Sequence, residues 1–191
     1  SDLTAQDDTK WAVNTAACER LGIPYGVYLY SLAQTDEEAR SEAAHALRLL
    51  DGKHPQLPVY LDLEDSGIRD NCTKAEVLRH ATIFCETLQA AGYSVGVYAN
   101  RYWWTTTLDD PAYDRWDRWL AVWAAETGYS GSYSTWQNSN SGRIPGIQAN
   151  VDLDLRYGAS LRADHTHDYR ITEHIALTCT DFGQNVYTCV G

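Results

Sequence analysis

Along the chain the apolar positions switch repeatedly between helical and strand-like spacing. Residues 8–21 read as a helix, with acids in the first turn and Gly22 just past the end. Tyr25 to Ser31 follows as a strand whose tyrosines fall at alternating positions. Thr35-Asp36-Glu37-Glu38 is a capping box: the Thr35 hydroxyl accepts from the backbone N–H three residues on, and Glu38 reaches back. The helix it opens carries Ala39, Ala43, Ala46, Leu47 and Leu50 and stops near Gly52. Pro58 to Glu64 reads as a buried strand that ends in acid. A second capping box, Thr73-Lys74-Ala75-Glu76, opens a helix through Ala91, closed by Gly92. Then come a strand from Ser94 to Ala99 and a loop or short helix bearing Tyr102, Trp103 and Trp104. Asp109-Asp110-Pro111 breaks the chain, after which Trp119–Ala124, Tyr133–Gln137 and Ile147–Leu155 read as strands joined by loops rich in Gly, Ser and Asn. The alternation predicts an α/β fold with a parallel sheet and helices outside it, as an α/β barrel or an open sheet.

After Gly158 the pattern degrades. Residues 1–158 are expected to form one domain and 159–191 an appendage, with Tyr169–Val190 suited to a hairpin. The net charge of −11 argues against nucleic acid as a partner, because a phosphate backbone requires a basic surface. No apolar run approaches the ~20 residues of a membrane helix, and no signal-like segment opens the chain. Met is absent, even at position 1, which points to a processed or trimmed chain. The cysteines are Cys18, Cys72, Cys85, Cys179 and Cys189, with no CxxC and no His at ligand spacing, so neither a metal nor a cofactor is expected. Cys179 and Cys189 are candidates to close a loop in the tail, and Asn71-Cys72-Thr73 fits the glycosylation sequon. Oligomeric state is not legible. The 13 Tyr and 7 Trp against 2 Phe keep polar edges, which suits a wet groove as well as a core.

Chemistry concentrates in Pro58-Val59-Tyr60-Leu61-Asp62-Leu63-Glu64-Asp65. Val59, Leu61 and Leu63 alternate with Tyr60, Asp62 and Glu64, so both carboxylates project from one face, about 6.6 Å apart along the strand. Two acids so close raise the pKa of at least one of them. The competing reading is a solvated loop with helix-capping duty. Asn100, Trp123, Gln137 and the Asp152/Asp154 pair stand at other strand ends, and α/β barrels bind ligands at the carboxyl ends of their strands. That convergence favours a site.

The segments GIPYGVYLYS (22–31), PVYLDLED (58–65), AAGYSVGVYAN (90–100), LAVWAAE (120–126) and TWQNSNSGRIPGIQANVDLDL (135–155) occur in an order and spacing that resembles the glycoside hydrolase family 25 lysozymes, the N-acetylmuramidases of the cellosyl and Chalaropsis type. The resemblance implies a modified (β/α) barrel and cleavage of the β-1,4 bond between N-acetylmuramic acid and N-acetylglucosamine in bacterial peptidoglycan. It also implies work outside the cytoplasm, or as a phage endolysin at lysis. Glu64 matches the general acid, Asp62 the acid that assists the substrate's acetamido group, and Asp152 the acid at the end of the last strand. Asp154 stands where the family usually has Asn. Asp62 ionised beside Glu64 would keep Glu64 protonated. Tyr28, Tyr30, Tyr98, Trp123, Trp136 and Gln137 are candidates to line a sugar groove, with core packing the alternative for the aromatics. The family's opening Gly-x-Asp-Val-Ser strand and a second apolar strand are not found in this chain, so the expected barrel is incomplete at the N-terminus. Strands 25–31 and 151–155 are then left with open edges that the tail or a partner chain is expected to cover. The alternatives to a muramidase are a non-catalytic glycan-binding module and a different α/β-barrel hydrolase sharing only the acidic strand.

Overall fold

The computed structural model describes residues 3–157 and the backbone of two further strands, 169–175 and 184–189. Its helices form where local chemistry specifies them. Helix α1 (Trp11–Leu21) ends at Gly22, whose φ of 66° is left-handed, with the Ile23 N–H returning to Cys18 O. Helices α2 (Asp36–Leu50) and α4 (Lys74–Ala90) each start from the expected capping box with both of its hydrogen bonds present. Short helices α3 (Ser66–Asn71) and α5 (Arg101–Thr105) follow the second and third strands, and a 3-10 helix at Pro111–Arg115 occupies the expected break.

The strands are β1 (Val27–Tyr30), β2 (Val59–Asp62), β3 (Val95–Asn100), β4 (Asp117–Ala121), β5 (Thr135–Gly142) and β6 (Val151–Arg156). They form one sheet in chain order, parallel from β1 to β5, with β6 antiparallel to β5. The parallel expectation fails at β6 for a physical reason. Residues 143–150 are too few for a crossover, and the chain turns back through Gly146 at φ 91°. Strand β4 starts before the expected Trp119. It accommodates Arg118 because that guanidinium donates to Tyr129 Oη and Asp114 Oδ1.

The sheet separates two environments. Its outer face packs Val59, Leu61, Leu63, Val95 and Val97 against α2 and α4, which supply Ala43, Leu50, Val77, Ala81, Phe84 and Leu88. Trp103, Trp104, Tyr113 and Trp116 extend that core. The opposite, concave face carries Tyr60, Tyr98, Trp119 and Ala121. The architecture is a mixed α/β half-barrel of six strands. Strands β7 (Tyr169–Ile175) and β8 (Gln184–Cys189) pair antiparallel as a separate sheet. They bond to each other, and among the described residues they extend neither β1 nor β6. Cys179 lies outside the described residues, and Cys18, Cys72 and Cys85 are free thiols. Among the described residues no helix is long and apolar enough to cross a membrane.

Candidate active site

Strand parity builds the site. Tyr30, Asp62 and Tyr98 are register partners across β1, β2 and β3, Tyr98 partners Trp119, and Ala121 partners Gln137, which partners Asp154. These residues therefore share the concave face. Ser31 N–H donates to Asp62 O and Leu63 N–H to Tyr98 O, which fixes the end of β2 between its neighbours. Capping falls to Asp65, whose Oδ1 accepts from Gly67 and Ile68 N–H at the start of α3. Asp62 and Glu64 have no part in it, and the solvated-loop reading holds for Glu64 but not for Asp62, which lies in β2.

Asp62 is only 6 % exposed, and its Oδ1 is buried with no hydrogen-bond partner among the described residues. Burial, with the charge of Glu64 second, pushes its carboxyl up to about 8. Glu64 is exposed, and its pKa is raised by burial of its carboxyl and then by the charge of Asp152. Both acids of the pair are thus pushed toward the protonated form, Asp62 mainly by its burial and Glu64 by burial and then Asp152. Asp152 stands at the start of β6, and the antiparallel run of that strand delivers it to the same mouth as the carboxyl ends of β1–β5. Its charge reaches Glu64, Tyr28, Tyr98 and Asp154. Asp154 is raised mainly by burial.

The floor beneath the acids is aromatic and tied down. Trp119 receives Tyr60 and Tyr98 edge-on at centroid distances of 4.9 Å each, and Tyr28 at 6.5 Å. Its indole N–H donates to Asp154 Oδ1 at 2.7 Å. Lower down, Arg156 donates to Tyr60 Oη and Thr135 Oγ1, each at 2.7 Å, and to Asp117 Oδ2 at 3.0 Å. Gly96 makes room for this packing, since a Cβ there would lie 2.6 Å from Tyr60 Cδ1 and from Asp117 O.

The expected groove residues divide. Tyr28 and Tyr30 are exposed on the concave face, Tyr98 is buried with its hydroxyl donating to Gln137 Oε1, and Trp123 is exposed with its indole N–H donating to that same oxygen. Trp136 does not line the groove. It alternates with Thr135 and Gln137, so it points to the other face, where its N–H donates to Val122 O. Asn100 caps α5 by accepting from Trp103 N–H. Trp119 and Arg156 were not singled out from sequence. The only signal for Trp119 was its parity with Ala121 and Trp123. Among the described residues no cluster of His, Cys, Asp or Glu is arranged to hold a metal ion.

Comparison with known proteins places this geometry. The modular autolysin LytC of Streptococcus pneumoniae superposes with a TM-score of 0.73 at 28 % identity, over 80 % of this chain and 38 % of that one. This chain therefore spans well under half of that autolysin. A family 25 glycosyl hydrolase from Bacillus anthracis gives 0.67 at 21 % identity, over 83 % and 75 % of the two chains. The catalytic domain of endolysin ply40 from bacteriophage P40 of Listeria monocytogenes gives 0.67 at 24 %, over 81 % and 77 %. No curated protein sequence matches the chain. The sequence model of glycosyl hydrolases family 25 matches residues 3–147, most of the described domain and all of β1 to β5 with Asp62 and Glu64, and on that match the chain belongs to glycosyl hydrolases family 25.

Proposed function

We propose that this chain is a peptidoglycan muramidase that hydrolyses the β-1,4 bond between N-acetylmuramic acid and N-acetylglucosamine. The observation that carries this is Asp62, buried with an unpartnered carboxylate oxygen beside Glu64 on the concave face of a family 25 half-barrel. LytC is an autolysin whose structure has been determined with a synthetic peptidoglycan ligand, which supports the substrate class. Such a substrate lies in the cell wall, so the work is extracellular or done by an endolysin at lysis.

Asp62 and Glu64 are both pushed toward their protonated forms, and the two titrate as a coupled unit. In the free chain burial favours the protonated form of Asp62. A substrate acetamido N–H arriving at Asp62 Oδ1 favours the ionised form, because a hydrogen bond donated to a carboxylate lowers its pKa. The proton then resides on Glu64, whose affinity for it is raised by burial and by Asp152. Glu64 donates it to the glycosidic oxygen as that bond breaks, while the acetamido carbonyl oxygen bonds to the anomeric carbon and Asp62 steadies the developing positive charge. Water next bonds to the anomeric carbon as that carbon's bond to the acetamido oxygen breaks, and the proton lost by the water returns to Glu64.

Loss of turbidity of a bacterial cell-wall suspension, compared between this chain and Glu64→Gln, tests the assignment. Clearing by this chain and none by the variant is expected, and equal clearing by both removes Glu64 from the chemistry. A second reading, a non-catalytic glycan-binding module, draws on the open edge of β1, which leaves the half-barrel unclosed. Wall binding without clearing would favour it.

A further inference from the structure

Gln137 is buried to 4 % exposure, yet its side chain makes only two hydrogen bonds among the described residues, and both fall on the same atom. Its Oε1 accepts from Tyr98 Oη–H at 3.1 Å and from Trp123 Nε1–H at 2.9 Å. An indole N–H can only donate, so the amide is fixed with its oxygen toward Trp123, and both oxygen lone pairs are used. The Nε2 hydrogens make no bond within the described residues, and Nε2 is not fully buried. The donors are therefore held toward the concave face, in the row that contains Asp154 and two strands beyond Tyr98. Trp123 is 59 % exposed but not free. Its indole edge is tethered to Gln137, and its backbone is pinned because Val122 N–H donates to Gln137 O while Trp136 Nε1–H donates to Val122 O. An exposed indole held by its edge presents its ring faces without rotating. This is preorganisation of the kind that lowers the entropy of binding.

We propose that Gln137 and Trp123 form a preset subsite for an N-acetylated sugar: the Gln137 amide donates to the acetamido carbonyl oxygen, and the Trp123 ring face carries the pyranose. The site selects through unequal pairing. A sugar with an acetamido group satisfies a donor that is otherwise left desolvated when the cleft is filled, and a sugar lacking it strands that donor. The proposal rests on the muramidase reading for the kind of glycan, but its geometry is independent of Glu64.

The test uses the chain carrying Glu64→Gln, which permits binding without turnover, and two uncharged probes of the same linkage, tri-N-acetylchitotriose and cellotriose. Titration is followed by calorimetry and by the Trp123 indole N–H resonance. Tri-N-acetylchitotriose is expected to bind about tenfold more tightly than cellotriose and to shift that resonance. Adding Gln137→Glu, measured at pH 8, keeps an acceptor for Tyr98 and Trp123 but removes the donors, and should bring the ratio down to about one. Adding Trp123→Ala should weaken both probes together. An unchanged ratio in Gln137→Glu, equal binding of the two probes, or no binding of either overturns the subsite. Unfolding midpoints of the variants exclude misfolding as the cause of a lost signal. Cell-wall clearing by the unsubstituted chain separates the two claims. Clearing with an unchanged ratio sinks the subsite alone, whereas selective binding without clearing sinks the enzyme and keeps the subsite.

Discussion

Replacing Asp62 by Asn should make the protein more stable, and increasingly so as the pH rises. The side chain is buried, its Oδ1 has no partner among the described residues, and burial then Glu64 raise its pKa from 3.8 to about 8. A carboxyl whose folded pKa lies above its unfolded value binds its proton more tightly in the native state. Its stabilising contribution is present below pH 3.8 and is lost as the pH climbs toward 8. If the whole shift is expressed, the loss is about 6 kcal/mol at pH 9 and about 4 kcal/mol at pH 7. Asn has nearly the same shape and carries no charge in either state, so this pH-dependent loss vanishes in the variant. Urea unfolding followed by tryptophan fluorescence at pH 4, 5.5, 7 and 8.5 measures the difference. The gap between Asp62→Asn and the parent should be small at pH 4 and exceed about 2 kcal/mol at pH 8.5, with m-values unchanged. Parallel stability curves, with a gap that does not grow with pH, would refute the claim that a charge is being forced into a buried position. The same variant should clear no cell wall, because stability and activity make opposite demands on this carboxylate.

Further outcomes follow from the rest of the site. In Asp152→Asn the charge that helps raise Glu64 is gone, so the pKa of Glu64 falls; since the protonated form is the donor, the alkaline limb of the wall-clearing profile should move to lower pH. A limb that stays in place or moves upward contradicts the coupling. Gly96→Ala places a Cβ against the Tyr60 ring and Asp117 O and should cost about 1–3 kcal/mol in urea unfolding, as overpacking does. Arg156→Gln removes the bonds to Tyr60, Thr135 and Asp117 that tie β6 to the floor, so amide exchange in β6 should accelerate by roughly tenfold relative to β2.

The features that could be read from the chain are those whose causes lie within a few residues. Thr35 with Glu38 and Thr73 with Glu76 specify helix starts wherever they occur, and Gly22 specifies a stop, because capping bonds span three to five positions. The alternation through Val59 to Glu64 told which side chains share a face. It could not tell which of the two acids would be buried. Asp62 lies within the strand between Tyr30 and Tyr98, while Glu64 lies beyond its end, and that difference buries Asp62 and leaves Glu64 exposed.

Trp136 shows the same limit from the other side. Its aromatic character suited a sugar groove, but strand parity turned it to the outer face once Gln137 was committed to the concave one. Local chemistry therefore decided the helices, the acidic strand and the family resemblance. The tertiary structure alone decided which acids Asp152 meets at the mouth, and the aromatic floor around Trp119. It also decided the bond from Arg156 to Tyr60, 96 positions apart. Periodicity records a residue's neighbours along its own strand, whereas burial and charge coupling depend on the strands placed beside it.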